Sequence, residues 1–289
     1  MNEPIDHHYV PRFYLSKWCG RDKKIHYFRW INGKLIHNRI SPKHTGFETK
    51  LYSLKHVSAN EEQEIEKVLR DEVDTPASRV LNKMIEKGVG VLSEEEKSSF
   101  TKFLISLRYR GPDSVTKLKS DGRDILLNSL AESQNEYEQL KESNDPSTFE
   151  EFFDTNLPSI PANLGLVTFV NWLNSTDMVN IIANMRWYIR TVKETSYDLL
   201  TSDNPLIYGE AQNSNKLYIG LPLSPMKMFF AFRSPKLEDA FRRVGDNKLV
   251  KHCNISTTNK AIDKIYATNE NQKVFIKNHF KAKKDPVFS

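Results

Sequence analysis

The chain has 289 residues, with 42 lysines and arginines against 37 aspartates and glutamates and a formal net charge of +5. This length suits one large domain or two small ones, and we expect a single domain spanning residues 1–289. The net charge is too small to indicate a dedicated nucleic-acid binder, and the presence of only two cysteines argues against a disulfide framework.

The N-terminal residues lack the basic region and apolar run of a signal peptide. No apolar stretch approaches the ~20 residues of a membrane-spanning helix. We therefore expect a cytoplasmic protein that has no membrane partner.

The first elements are predicted to be a short helix and a β-hairpin. A helix over residues 11–19 would begin at a proline, which suits the first helical position. Two alternating runs, residues 24–30 and 34–40, flank Asn32-Gly33, a strong signal for a two-residue hairpin turn. The sequence therefore predicts a hairpin in this part of the chain.

Three amphipathic helices are predicted to follow, each with a recognisable start or stop signal. The first begins near Asn60 behind Ser58 and Glu61, the second runs from Thr75-Pro76 to Gly88, and the third begins at Ser93 with Glu96 and stops at Gly111-Pro112. Residues 114–148 are charged and poor in apolar positions, so we expect a peripheral helical excursion there.

The C-terminal half is predicted to contain most of the strands. β character marks residues 187–192, 206–208, 217–221 and 226–232, and helices are predicted over residues 250–267 and 272–281. The predicted fold class is therefore α+β, helix-rich, with a mainly antiparallel sheet formed by the N-terminal hairpin and the C-terminal strands. The hairpin and the C-terminal strands could share one sheet.

Several motifs along the chain together resemble the bacterial family known as domain of unknown function 4238. They are residues 7–18 (His-His-Tyr-Val-Pro-Arg-Phe-Tyr-Leu-Ser-Lys-Trp), Phe103-Leu104 with residues 108–112, residues 200–205, residues 221–225 and residues 259–266. The resemblance runs from the N-terminus almost to residue 270. It implies a bacterial or mobile-element context with a defence-like distribution, and it implies no reaction.

His7 and His8, followed by Arg12, form the first candidate site. Imidazoles can serve as general acid and base near neutral pH, and a guanidinium can hold a phosphate. The alternative is that one histidine caps the following helix or forms a hydrogen bond in a buried turn.

Asp203 lies in a polar turn between two extended segments, where it could project a carboxylate into a cleft. The same turn is equally explained by the ordinary turn-forming tendency of aspartate and asparagine. Arg108 and Arg110 could flank a phosphate, although cations near a helix C-terminus also satisfy its last carbonyl groups. Glu66 is predicted to pair with Arg70 on a solvated helix face.

If these groups converge, they would combine acid–base catalysis with anion binding, which phosphodiester hydrolysis requires. The sequence thus suggests a nuclease that prefers RNA, with His7, His8 and Asp203 as catalytic residues and the arginines as phosphate contacts. One of the histidines should approach Asp203. The sequence leaves open whether Mg²⁺ or Mn²⁺ takes part.

Two other classes of function fit the same sequence. One is a non-catalytic module that binds nucleic acid or a partner protein, which would show salt-dependent affinity without turnover. The other is a hydrolase or transferase acting on a small phosphorylated metabolite, for which an enclosed pocket would be the distinguishing feature.

Overall fold

The computed structural model describes residues 5–58, 61–209 and 216–280. The α-helices in these ranges are α1 (Arg12–Leu15), α2 (Glu64–Val68), α3 (Thr75–Lys87), α4 (Glu94–Tyr109), α5 (Pro112–Leu140), α6 (Phe149–Asn156), α7 (Ile160–Asn174), α8 (Thr176–Ala183), α9 (Pro235–Arg242), α10 (Asp246–Lys260) and α11 (Lys273–His279). A 3-10 turn follows α1, as expected for a short helix there, and a π-helical turn joins α2 to α3.

The strands form antiparallel sheets. They are β1 (Asp6–His8), β2 (Ile25–Ile31), β3 (Lys34–Ile40), β4 (Phe47–Thr49), β5 (Arg186–Thr191), β6 (Thr201–Ser202), β7 (Ile207–Tyr208), β8 (Tyr218–Ser224), β9 (Lys227–Phe232) and β10 (Ile265–Ala267). β1 pairs with β4, a second sheet has the order β3-β2-β10-β6, and a third has the order β5-β9-β8-β7. The predicted α+β class is confirmed, because the structure combines many helices with antiparallel sheets that include the N-terminal hairpin and the C-terminal strands.

The predicted hairpin is formed by β2 and β3. Asn32 and Gly33 have φ angles of 48° and 72°, and a two-residue turn of this hand requires positive φ at both central positions. Glycine adopts such angles freely, and asparagine does so more readily than most residues. The turn places Ile31 opposite Lys34 and fixes the register of the hairpin.

The structure corrects two expectations about the sheets. None of the C-terminal strands predicted between residues 187 and 232 lies in the hairpin's sheet, since β5, β9, β8 and β7 form a sheet of their own. The hairpin's sheet contains β6 instead, which lies in the segment predicted as a turn. The helix predicted over residues 250–267 ends at Lys260, and β10 follows. The residues of β10 are buried between β2 and β6, and this tertiary pairing outweighs the apolar pattern that favoured a helix.

The caps predicted for α4 are confirmed. Ser93 Oγ accepts a hydrogen bond from the Glu96 N–H at 3.2 Å, and the Glu96 carboxylate accepts one from the Ser93 N–H at 2.8 Å. The helix ends just before Gly111, as predicted. Asn60, where the first of the three helices was expected to begin, lies outside the described residues.

A π-helical turn over Leu69–Asp74 precedes α3 where the sequence predicts the start of a separate helix. Pro76 has no N–H group, so the normal helical hydrogen bond to the carbonyl of Glu72 cannot form. The chain widens into a π turn and continues as α3. Such turns are rare and often occur at functional sites.

Residues 114–148 are not uniformly peripheral. Val115 and Leu118, on the first turns of α5, are buried in the main hydrophobic cluster. Further along, α5 crosses α7 closely, because a Cβ atom at Gly122 or Gly165 would overlap the backbone of the opposite helix. The division of the chain into domains stays a prediction.

The N-terminal segment is anchored to the C-terminal half by two long-range hydrogen bonds. The hydroxyl of Tyr14 lies 2.7 Å from Thr201 Oγ1, and Trp18 Nε1 donates to the Leu199 carbonyl at 2.7 Å. Both aromatic side chains are fully buried. This packing brings the His7-His8 and Asp203 segments into one region of the protein.

Candidate functional site

His7 is fully buried in β1, and both of its ring nitrogens have partners. Nδ1 accepts a hydrogen bond from the Tyr52 N–H at 2.9 Å, which assigns the ring proton to Nε2. Nε2 then donates to Gln63 Oε1 at 2.6 Å, and Gln63 in turn donates to Ser53. Burial lowers the pKa of His7. The ring is therefore a neutral structural link.

His8 lies on the same short strand but has a different environment. Its Nε2 atom accepts a hydrogen bond from Arg12 Nε at 3.2 Å, and Arg12 is exposed to solvent. Burial and the charge of Arg12 lower the pKa of His8 to about 4. His8 is consequently neutral at physiological pH and presents a basic lone pair next to an exposed cation.

Glu66, in α2, has a carboxyl group that is largely removed from water. Burial raises its pKa to about 8, whereas the charge of Arg110 and the backbone N–H of His8 act in the opposite direction. Oε2 is buried and has no hydrogen-bond partner among the described residues. The carboxyl group is therefore mostly protonated at neutral pH and can donate a proton.

The sequence predicts that Glu66 pairs with Arg70 on a solvated helix face, and for Glu66 this prediction is wrong. Arg70 Nε lies 2.9 Å from Asp71 Oδ1, on the exposed side of the helix. Glu66 faces inward, and the charge of Arg70 lowers its pKa less than that of Arg110 does.

Arg110 caps the C-terminus of α4 and is fully buried. Its Nη1 atom donates to Asp74 Oδ1 at 2.9 Å, and its guanidinium lies 5.5 Å from the ring centroid of Phe103. Nε and Nη2 have no hydrogen-bond partner among the described residues. Burial on this scale does not suit the direct phosphate contact predicted for Arg110, and the guanidinium instead forms an ion pair with Asp74.

Together, His8, Glu66, Asp74 and Arg110 form what we call the ionisable cluster, with Arg12 at its exposed edge. The cluster reaches solvent through Arg12 and through Asp74, whose side chain is 20% exposed. Buried polar atoms without partners are rare in native proteins and call for an explanation such as a catalytic role or a bound ligand. Groups with strongly shifted pKa values are also concentrated at functional sites.

Asp203 belongs to a separate network. Its carboxylate accepts hydrogen bonds from the backbone N–H groups of Ile262, Asp263 and Lys264 at 2.6–2.8 Å, and its own N–H donates to the Lys264 carbonyl at 3.0 Å. These bonds fix the turn that leads from α10 into β10. Burial raises the pKa of Asp203, and the N–H donors oppose that rise.

The structure brings the two predicted segments together but does not join their side chains. No hydrogen bond or ion pair connects either histidine to Asp203 within the described part of the chain. The nearest link is Tyr9, whose pKa is raised by burial and, to a lesser degree, by the charge of Asp203. The catalytic role assigned to these residues stays a prediction.

Arg108 points away from the ionisable cluster, although it lies two residues before Arg110. Residues two apart on a helix face roughly opposite sides. The Arg108 guanidinium is exposed and lies 5.0 Å from the ring centroid of Tyr208. It is therefore available to a ligand, which Arg110 is not.

The structure offers no preassembled metal site within the described residues: no group of three or more histidine, cysteine, aspartate or glutamate side chains is arranged to hold an ion there. Two surface depressions, one beside α11 and one between α5 and α6, are lined by none of the predicted site residues.

These features define an α+β protein with antiparallel sheets and a cluster of buried ionisable groups next to its N-terminal strand. The chain belongs to the family described as proteins of unknown function DUF4238, whose family model matches residues 6–271. This confirms the resemblance seen in the sequence. No match was found among curated proteins or solved structures. None of the helices in the described ranges is long and apolar enough to span a membrane.

Proposed function

We propose that this protein hydrolyses phosphodiester bonds, with a preference for RNA, and that the ionisable cluster is its catalytic centre. The observation that carries the proposal is the contact between the Glu66 carboxyl group and the backbone N–H of His8, which brings together two groups whose pKa values are displaced in opposite directions. His8, normally near 6.5, is lowered to about 4, and Glu66, normally near 4.5, is raised to about 8. Between these values one group is a neutral base and the other a protonated acid, as acid–base catalysis requires.

The two groups fit the cleavage of RNA by its own 2′-hydroxyl. His8 Nε2 removes the hydroxyl proton, and the 2′ oxygen attacks the adjacent phosphorus. The bond from phosphorus to the 5′ oxygen breaks, and Glu66 donates its proton to that leaving oxygen. The products are a 2′,3′-cyclic phosphate and a free 5′-hydroxyl. The preference for RNA follows, because DNA lacks the attacking hydroxyl.

Arg12 is the phosphate contact in this proposal. Its Nε–H occupies the His8 lone pair at 3.2 Å, and its side chain is exposed. A bound phosphate would draw the guanidinium toward itself, because charge-assisted bonds to phosphate oxygens are stronger than a bond to a neutral imidazole. The movement would free His8 to accept the proton. Arg110 is a positioning residue that holds Asp74 beside Glu66.

We also place this activity in the cytoplasm, in a bacterial defence or toxin-like role. Support comes from the composition, which includes two free cysteines, and from the defence-like distribution that the family resemblance implies. RNA in the same compartment would be the natural substrate.

The test is incubation of the purified protein with labelled RNA and with DNA of the same sequence. Each substrate is incubated in EDTA, in Mg²⁺ and in Mn²⁺, and the RNA products are analysed for cyclic phosphate ends. We expect cleavage of RNA only, with cyclic ends and in EDTA as well. Intact RNA under all three conditions would refute the nuclease proposal. Cleavage only with a cation, giving 5′-phosphate ends, would assign a different mechanism.

A second candidate is a non-catalytic module that binds nucleic acid or a partner protein. It is favoured by the hydrogen bonding of His7 and Asp203, since every polar contact described for them serves the fold. Stable, salt-sensitive binding of RNA that is never cleaved would identify this alternative.

A further inference from the structure

A second group of cations lies outside the ionisable cluster, around the ring of Tyr208. Arg108, near the end of α4, lies 5.0 Å from the ring centroid, and Lys260, the last residue of α10, lies 4.3 Å from it. Burial and the charge of Arg108 lower the pKa of Lys260. Two like charges thus lie near one another at a single aromatic ring. The electron-rich face of the ring attracts both cations.

Neither cation forms an ion pair with a described carboxylate. Other cations of the protein do so, for example Arg190 with Asp246 at 2.6 Å. Asp263, three residues after Lys260, is already engaged, since it binds Arg29 at 2.9 Å and Lys264 at 3.4 Å. The Asp203 carboxylate, next to the Asn204 side chain that donates to the Lys260 carbonyl, is bonded to backbone N–H groups. No carboxylate in the described part of the chain therefore pairs with the positive charge at Tyr208.

The Tyr208 hydroxyl adds an independent observation. Its oxygen is buried and forms no hydrogen bond of standard geometry to a described residue, although the Arg108 guanidinium lies beside it. A cation at a helix C-terminus is stabilised by the helix dipole, which explains Arg108 or Lys260 singly. It does not explain why both lie over one ring whose buried hydroxyl has no hydrogen bond of standard geometry among the described residues.

We propose that Arg108 and Lys260 bind a backbone phosphate of the RNA substrate, with the Tyr208 hydroxyl as a third donor. The inference rests on the proposed function and extends it by a subsite. Arg108 lies two residues before Arg110, so the subsite and the ionisable cluster flank the same end of α4. Arg108 can engage two phosphate oxygens with its planar fork, and Lys260 supplies a point charge.

The experiment measures binding of labelled single-stranded RNA by fluorescence anisotropy over a series of KCl concentrations. The protein carries Glu66→Gln, so that the RNA stays intact. Adding Arg108→Gln and Lys260→Gln should weaken binding about tenfold, the effect of losing a charged hydrogen bond. The slope of log affinity against log salt should become shallower by about 0.7, the contribution of one phosphate contact on a single strand.

The matched control replaces two cations that already have carboxylate partners, Arg123→Gln and Lys83→Gln. Arg123 lies 2.7 Å from Asp154, and Lys83 lies 2.7 Å from Glu96. This control loses the same formal charge and should keep the original slope. Equal changes in both double variants, or no RNA binding by the Glu66→Gln protein, would overturn the subsite. Cleavage is measured separately, so a protein that binds through this subsite but never cuts RNA would refute only the proposed catalysis.

Discussion

Glu66 and Asp203 are two largely buried carboxyl groups in very different surroundings. Asp203 is 6% exposed and accepts hydrogen bonds from three backbone N–H groups. Glu66 is also shielded from water, yet one of its oxygens has no partner among the described residues. Burial by itself therefore does not identify a reactive carboxyl. The number of hydrogen bonds that a buried carboxyl group accepts distinguishes one that stabilises the fold from one that can take part in a reaction.

The same contrast distinguishes the two neighbouring histidines. His7 has a partner at each ring nitrogen and is stacked on Tyr52, with ring centroids 5.4 Å apart. His8 Nε2 accepts from the exposed Arg12, which a ligand could displace, while backbone groups of Asp6 and Lys43 also form hydrogen bonds with the ring. In a sequence the two histidines are indistinguishable, but the pleat of β1 directs successive side chains to opposite faces.

The largest effect that tests this comparison is expected from Glu66→Gln. Glutamine keeps the shape of the protonated glutamic acid but cannot donate the catalytic proton. Cleavage of RNA should fall by ~10²–10⁴, the usual contribution of a general acid, without any drop in melting temperature. The exposed Glu72→Gln is the matched control and should retain full activity. Equal turnover by wild type and Glu66→Gln would remove Glu66 from the mechanism.

A second prediction concerns the pH dependence of cleavage. Activity requires neutral His8 and protonated Glu66, whose pKa values are about 4 and about 8. The rate should be nearly constant between these limits and fall about tenfold per pH unit beyond each one. A pH profile of kcat/KM is the measurement. If the residual kcat/KM of Glu66→Gln shows the same decrease above pH 8, another group must be responsible for that decrease.

Features of the fold that depend on neighbouring residues could be predicted from the sequence. The Asn32-Gly33 turn and the box between Ser93 and Glu96 involve residues at most three apart, and both are present. β10 was missed because its strand character comes from β2 and β6, which are distant in sequence. An apolar run as short as this one fits a helix or a buried strand equally well.

The candidate site was only partly predictable, for the same reason. His8 and Arg12 stood out as residue types, but the partners of Arg110 and Asp203 lie at sequence separations of 36 and of 59 or more. The sequence contained one signal that Glu66 lies on a buried helical face. Glu66 lies seven residues before the buried Val73, a spacing that places both on the same helical face, so a charged residue interrupted an apolar stripe.

The third prediction uses Asp203→Asn to test whether the Asp203 carboxylate stabilises the fold and takes no part in catalysis. The asparagine side chain has one acceptor oxygen instead of two. Its NH₂ group would face backbone N–H groups, which are themselves donors. We expect a loss of roughly 1–3 kcal/mol in the free energy of unfolding, because a buried donor is left unsatisfied. Turnover per folded molecule should be unchanged. The measurements are a thermal melt and an RNA cleavage assay, with the exposed Asp239→Asn as control. Lost turnover with an unchanged melt would return Asp203 to the catalytic centre.

The fourth prediction is a change in stability with pH that belongs to Glu66 alone. The pKa of Glu66 is raised in the folded protein from 4.5 to about 8. Below the lower value both folded and unfolded states carry the proton. Between the two values the unfolded chain releases the proton while the folded protein retains it, so the free energy of unfolding must decrease as pH rises.

Glu66→Gln cannot titrate and should lack this decrease. The melting temperature of the wild type, measured relative to Glu66→Gln, should therefore fall steadily from pH 5 to pH 8 and then level off. One unit of pKa shift corresponds to about 1.4 kcal/mol, and for domains of 150–250 residues each kcal/mol changes the midpoint by roughly 2–4 °C. Glu72→Gln should follow the wild-type curve at every pH. Parallel curves for wild type and Glu66→Gln would mean that Glu66 titrates normally in the folded protein, and its contrast with Asp203 would then disappear.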